Sequence, residues 1–292
     1  MPREIGANQK VTGGLVNTEF EFSDRDFQRV RRIINEVAGI SLADGKRELV
    51  YSRLSRRLRQ RGLRRFEDYC DLLETQDDTA ELGEFVNALT TNLTAFFREP
   101  HHFEFLAREL LPALIRERGF GTRRIRVWSA GCSTGEEPYS IAMVLRETLP
   151  ATGWDVRILA TDLDSNVLAT AGQGVYELSR VKDLPEARLR RWFQKGRGAQ
   201  AGLVRVAPAL RELITFRRLN LMDEWPMRGA FDIVFCRNVV IYFDKPTQRA
   251  LFERFADQLV EQGHLFVGHS ESLFKVTERF VPLGKTIYQR CI

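Results

Sequence analysis

Residues 124–139, R-I-R-V-W-S-A-G-C-S-T-G-E-E-P-Y, limit the possible folds more than any other part of the chain. They read as a short buried strand carrying Ile125 and Val127, a tight turn between Gly131 and Gly135, and a helix opened by Glu136, Glu137 and Pro138. A strand that stops at a glycine turn and hands over to a helix N-terminus leaves backbone N–H groups around a crevice, where open α/β sheets hold nucleotide-like ligands. A small adenosine-like ligand is expected there.

The spacing of the turn bears on which ligand. A dinucleotide site would read G-x-G-x-x-G, with no acid competing with the pyrophosphate. Here the run is G-C-S-T-G followed at once by two glutamates. Acids at a helix start gain roughly 0.3–1 kcal/mol each from the helix dipole, but they repel phosphate. A ligand carrying a cation fits better, and S-adenosylmethionine, with an ammonium and a sulfonium, is one. On the turn alone, a simpler reading stays open: the acids only cap the helix, with Pro138 in its first turn.

Residues 156–162, V-R-I-L-A-T-D, form a second strand of buried type ending in an acid. In this fold class an acid at that point accepts hydrogen bonds from the ribose hydroxyls. Asp162, Asp164 and Ser165 also suit a helix cap, and one of them is expected to serve as such. Asp162, first past the apolar run, is the ribose candidate.

Four stretches then carry a resemblance: T-T-N-L-T-A-F-F-R-E-P-H-H-F (90–103), W-S-A-G-C-S-T-G-E-E-P-Y-S-I-A (128–142), F-D-I-V-F-C-R-N-V-V-I-Y-F-D (231–244) and G-H-L-F-V-G-H-S-E (263–271). In this order they resemble the CheR family of bacterial chemotaxis methyltransferases, which esterify glutamate side chains of chemoreceptors. The likeness runs from about Phe20 to the C-terminus. It implies a doubly wound, Rossmann-like class I methyltransferase domain with a small antiparallel β insert, preceded by a small all-helical domain. It also implies S-adenosylmethionine as methyl donor, S-adenosylhomocysteine as product, and the methylation region of chemoreceptors as partner.

Length and composition agree with that outline. The 292 residues suffice for two domains, and 43% hydrophobic residues suffice for their cores. No apolar run approaches the roughly 18 residues of a membrane span. The N-terminus lacks an apolar signal core, so a cytoplasmic protein is expected. The four cysteines, Cys70, Cys132, Cys236 and Cys291, are scattered without a C-x-x-C pair, so neither a disulfide scaffold nor a metal site is expected. His101, His102, His264 and His269 do not cluster at ligand spacing either. The net charge of +5 suits an acidic partner. A monomer without nucleic acid or membrane insertion is expected.

Along the chain, residues 1–18 lack periodicity and read as a disordered tail. Residues 19–89 read as the helical domain. Ser23 caps a helix with Phe27, Val30, Ile33, Ile34 and Val37 at three- and four-residue spacing, ending at Gly39. A second helix, 46–61, sets Leu49, Val50, Leu54 and Leu58 against Arg53, Arg56, Arg57, Arg59 and Arg61, and 66–89 gives two more. Such an arginine stripe is usually a solvated face, and it could track phosphates. The resemblance favours docking on the glutamate-rich receptor coiled coil, with Arg53 and Arg57 as substrate contacts.

Residues 90–120 link the halves and, by the resemblance, cover the cofactor with Asn92, Thr94 and Arg98; an N-cap network for the helix near Pro100 is the structural alternative. Residues 121–292 alternate strand and helix, as a mostly parallel sheet requires. About 174–209 break the rhythm as the antiparallel insert. In some family members that insert binds a tethering peptide from the receptor C-terminus by β-augmentation. Further cofactor candidates are Glu137, Asn220, Leu221, Arg237 and Asn238, the last two at the carboxyl edge of the apolar strand 231–236. A glutamate ionised at pH 7 attacks a sulfonium methyl without a general base, so alignment and water exclusion carry the chemistry. Arg98 and Tyr242 are assigned to hold that glutamate. A nicotinamide-dependent oxidoreductase and a non-enzymatic receptor adaptor are the competing classes.

Overall fold

A computed structural model describes residues 19–75, 78–119 and 121–291. The expected tail, 1–18, lies outside them.

Among the described residues the first α-helices are α1 (Asp24–Ala38), α2 (Arg47–Arg61), α3 (Phe66–Glu74) and α4 (Thr79–Leu89). Ser23 starts α1 through a capping box with Asp26, and Gly39 closes it in the left-handed conformation. Phe27, Val30, Ile33 and Ile34 of α1 meet Val50, Leu54 and Leu58 of α2 and Phe66, Tyr69, Phe85 and Val86 of the next two, all buried. A longer helical stretch, Pro100–Phe105, Leu106–Leu110 and Leu111–Arg118, then leads to the sheet, with a π turn in its middle.

Ten strands follow: β1 (Arg124–Ala130), β2 (Asp155–Asp162), β3 (Val175–Glu177), β4 (Phe193–Lys195), β5 (Leu203–Val206), β6 (Ile214–Arg218), β7 (Phe231–Cys236), β8 (Leu259–Val267), β9 (Phe280–Gly284) and β10 (Ile287–Arg290). The large sheet has the order β6-β2-β1-β7-β8-β10-β9. Its first five strands are parallel, and β10 runs antiparallel to both neighbours. All six residues of β7 are buried, as a parallel strand covered on both faces requires. Ile233 and Phe235 join one core with helix Glu136–Thr148, and Val234 and Cys236 join the other with helix Lys245–Gln258. The sheet is therefore doubly wound, as its alternating pattern predicts. β3, β5 and β4 form the small antiparallel sheet expected within 174–209.

The strand order reverses between β1 and β7, and a crevice opens there at the carboxyl ends. Gly131, just past β1, has φ +81° and no room for a side chain, because a Cβ would lie 2.3 Å from Val239. The turn after β7 thus packs directly on the turn after β1. Across the crevice the helical bundle is tied in by Ser41, whose N–H donates to Tyr242 O (2.8 Å), and by Asn220, whose Nδ2 donates to Val37 O (2.7 Å).

Candidate active site

The crevice encloses a cavity of about 410 Å³, within the usual range for small-ligand sites. Its walls come from three places: the carboxyl ends of β1, β2, β6 and β7, the segment 89–98, and residues 38–49 of the helical bundle. The third wall is not legible in the sequence. Residues 39–43 follow the end of α1 as an unremarkable, mostly apolar loop, and only the tertiary fold turns Ile40 and Leu42 to the cavity.

Gly131 and Cys132 donate their N–H groups to Thr161 O (2.8 and 2.9 Å), and Ser133 donates its own to Asp162 Oδ2 (2.8 Å). Three of the turn amides that could cradle a pyrophosphate are thus consumed inside the protein. Asp162 Oδ1 accepts from Asp164 N–H (3.0 Å), so each carboxylate oxygen keeps a lone pair for the cavity. Burial pushes the Asp162 carboxyl up, opposed by these two hydrogen bonds. Asp164 caps helix Ser165–Gln173, so the two acids divide the roles that the sequence leaves open between them.

The glutamate pair also divides. Glu137 lines the cavity, accepts from Ser129 Oγ (2.7 Å) and pairs with Arg237 (3.1 Å). Glu136 turns the other way, fully buried, to Arg180 and Thr134 Oγ1. Only one of the two acids therefore presents charge to a ligand. Burial raises the Glu137 carboxyl, and Arg237 works against that.

Arg237 is the hub of the far wall. Its guanidinium meets Glu137, lies 3.3 Å from Glu99 and donates to Arg98 O. Burial would raise Glu99, but hydrogen bonds from His269 and the charge of Arg237 hold it down to about 2. Donor atoms of Glu99, His101 and His102 lie within 4.8 Å of one another; Arg237 already supplies the positive charge at that point. Glu99 is a site residue the sequence reading missed, because an acid beside a helix-opening proline reads as a cap.

The remaining candidates fall around the same cavity. Asn92 Nδ2 donates to Asp164 (2.7 Å), and its carbonyl accepts from Ser133 Oγ (2.8 Å). Thr94 O accepts from Arg180 (3.2 Å), which fastens the covering segment to the insert. The side chain of Asn220 bonds Val37 O, Asp223 and the Met222 N–H, leaving its neighbour Leu221 as apolar wall. Arg98 is half-buried, and its guanidinium makes one hydrogen bond among the described residues, to Leu93 O (2.8 Å), which leaves donors available at the cavity it lines. Asn238 and Tyr242 line the wall contributed by the turn after β7.

Arg53 and Arg57 stand apart, in a separate surface groove with Arg56. Arg53 donates to Ala88 O, Leu89 O and Thr90 O (3.3, 3.0 and 2.7 Å), capping α4. Arg57 grips buried Glu81 through two hydrogen bonds (3.0 and 2.6 Å). Both guanidinium groups are engaged within the bundle, and Arg56 is the exposed member of this part of the stripe.

With the carboxylates of Glu137 and Asp162 on a largely apolar cavity and three of the turn amides already engaged, the site fits an adenosine-bearing cation. The sequence comparisons agree. Residues 25–90 match the CheR methyltransferase all-alpha domain, and residues 92–289 the CheR methyltransferase SAM binding domain. The chain belongs to the CheR methyltransferase family. It is 47% identical to chemotaxis protein methyltransferase 2 of Pseudomonas aeruginosa, over 93% of this chain and 95% of that protein. It is 46% identical to the chemotaxis protein methyltransferase of Escherichia coli, over 91% of each, and 37% identical to that of Borreliella burgdorferi, over 88% and 91%. As a CheR methyltransferase it uses S-adenosylmethionine. Among the described residues no helix is long and apolar enough to cross a membrane.

Proposed function

We propose that this CheR methyltransferase esterifies glutamate side chains in the methylation region of chemoreceptors. The observation that carries the reading is the pairing of a cation-seeking carboxylate, Glu137, with a half-buried, underused guanidinium, Arg98, in one cavity. S-adenosylmethionine, when bound, supplies a sulfonium methyl: the glutamate oxygen forms a bond to that carbon, the carbon–sulfur bond breaks, and its electron pair stays on sulfur. No proton moves, which accords with a site that needs no general base.

Asp162 holds the ribose hydroxyls and Glu137 the ammonium of the methionine moiety. Leu221 and the backbone at Asn220 flank the base. Asn92, Thr94 and Arg98 close over the ligand, and Arg237 pairs with Glu137 and anchors Arg98 through its carbonyl. Asn238 completes the floor. Arg98 and Tyr242 orient the incoming carboxylate and strip its water, the step that counts most for a hydrated nucleophile.

The receptor is expected to approach across the helical bundle, where Lys46 at the cavity mouth and Arg56 on α2 are exposed. Arg53 and Arg57 hold that surface from behind. The outer edges of β3 and β4 carry no strand partner among the described residues, which suits a tethering peptide added by main-chain hydrogen bonds. The enzyme works as a monomer in the cytoplasm.

The test is to incubate the protein with labelled methyl donor and a receptor cytoplasmic fragment, then map the modified residue by mass spectrometry. Modification on glutamate supports the reading, and modification on lysine or on no residue sinks it.

A further inference from the structure

The turn after β7 brings Asn238 and Tyr242 to the cavity, and its own hydrogen bonds, Tyr242 N–H to Val239 O and Phe243 N–H to Val240 O (3.2 and 3.1 Å), fix only part of its shape. Asn238 sits at φ +58°, a left-handed conformation that leaves successive N–H groups pointing to one side. Those groups converge on Glu271, which is 3% exposed and does not line the cavity. Its Oε2 accepts from Asn238 N–H (2.8 Å) and Gly268 N–H (2.5 Å), and its Oε1 accepts from Ile241 N–H (3.3 Å). On the opposite side Gln248 Nε2 donates to Val240 O and Phe243 O (2.9 and 3.0 Å). The turn is thus clamped through its donors by one buried side chain and through its acceptors by another.

The fit around Glu271 is close. A Cβ on Gly268 would lie 2.4 Å from Asn238 Nδ2 and 2.9 Å from Glu271 Oε2, so the strand end, the turn and the carboxylate pack against one another. Burying a carboxylate is costly unless its oxygens are satisfied, and a residue wanted only for packing would be apolar. Three converging donors are the reason for an acid here.

We infer that Glu271 is a positioning residue: it moulds the 238–242 turn and so sets the affinity of the cofactor pocket from outside it. The inference rests on Asn238 belonging to the cofactor floor, as proposed above, but not on the identity of the methyl acceptor.

The test is a double-mutant cycle read by calorimetry with S-adenosylhomocysteine, which needs no receptor. Glu271→Gln keeps the shape but turns an NH2 group toward either the Asn238 and Gly268 donors or the Ile241 donor. It is expected to weaken binding about tenfold, with helix content close to that of the parent and a single cooperative melting transition retained. Combined with Asn238→Ala, it is expected to add nothing to the loss caused by Asn238→Ala alone. Unchanged affinity in Glu271→Gln, or losses that multiply in the double variant, would overturn the inference. If the glutamine variant fails to fold, Glu271→Asp, which keeps the charge but withdraws it by one methylene, carries the same test. A normal outcome here with no ester formed on receptors would sink the proposed function and leave this inference standing.

Discussion

Single residues decide whether the cavity does chemistry or only binds. Arg98 keeps most of its donors free while Arg237 is engaged by Glu137, Glu99 and Arg98 O, so the two arginines are not interchangeable. Arg98→Ala is expected to lower turnover on the order of a hundredfold with the fold intact; near-normal turnover in a steady-state assay would remove Arg98 from the mechanism. Tyr242→Phe deletes one hydroxyl and is expected to slow turnover roughly fivefold, the worth of about 1 kcal/mol; an unchanged rate would reduce Tyr242 to wall. Asp162 and Asn238 stood out in the sequence because each follows an apolar run that must be a buried strand, and Glu137 because it opens a helix straight after a glycine turn. Glu99 and Glu271 did not, because most of their partners lie far along the chain and no local spacing announces a buried hydrogen-bond knot.

Among the elements, the parallel strands and their helices were legible from alternation alone, down to β1 at 124–130. The helical bundle was legible as helices, but not in how it uses its charges. Arg57 reads as a surface cation in α2; the structure pairs it with Glu81, which is 2% exposed and also accepts from Tyr69 Oη (2.7 Å). Periodicity places a residue on a helix face but does not say which other helix covers that face. Arg57→Ala is expected to cost the bundle about 3 kcal/mol by stranding a buried carboxylate, read as a lower denaturation midpoint. Arg56→Glu leaves the bundle intact and is expected to raise the Michaelis constant for receptor while sparing S-adenosylhomocysteine affinity. An unchanged Michaelis constant for receptor would remove Arg56 from the docking surface.

For the whole molecule, buried histidines set the acid limit. Burial holds His102 down to about 4, helped by the charge of Arg237, and burial alone does the same for His264. Below pH 6.5 the unfolded chain takes up protons that the folded chain refuses, so stability is full above pH 6.5 and falls as the pH drops toward 4. Each histidine contributes on the order of 3 kcal/mol across that window. Glu99, held down to about 2, extends the loss as pH falls from 4.5 toward 2. Melting temperature is expected to decline steadily from pH 6.5 to 4, less steeply in His264→Leu; a flat profile would mean the histidines are solvated. The account as a whole stands on an oxygen ester being made. Receptor-containing membranes labelled with methyl-tritiated S-adenosylmethionine, then brought to mild alkali, test that directly. Release of the label as volatile methanol is the predicted result, and label that survives alkali on the receptor would contradict it.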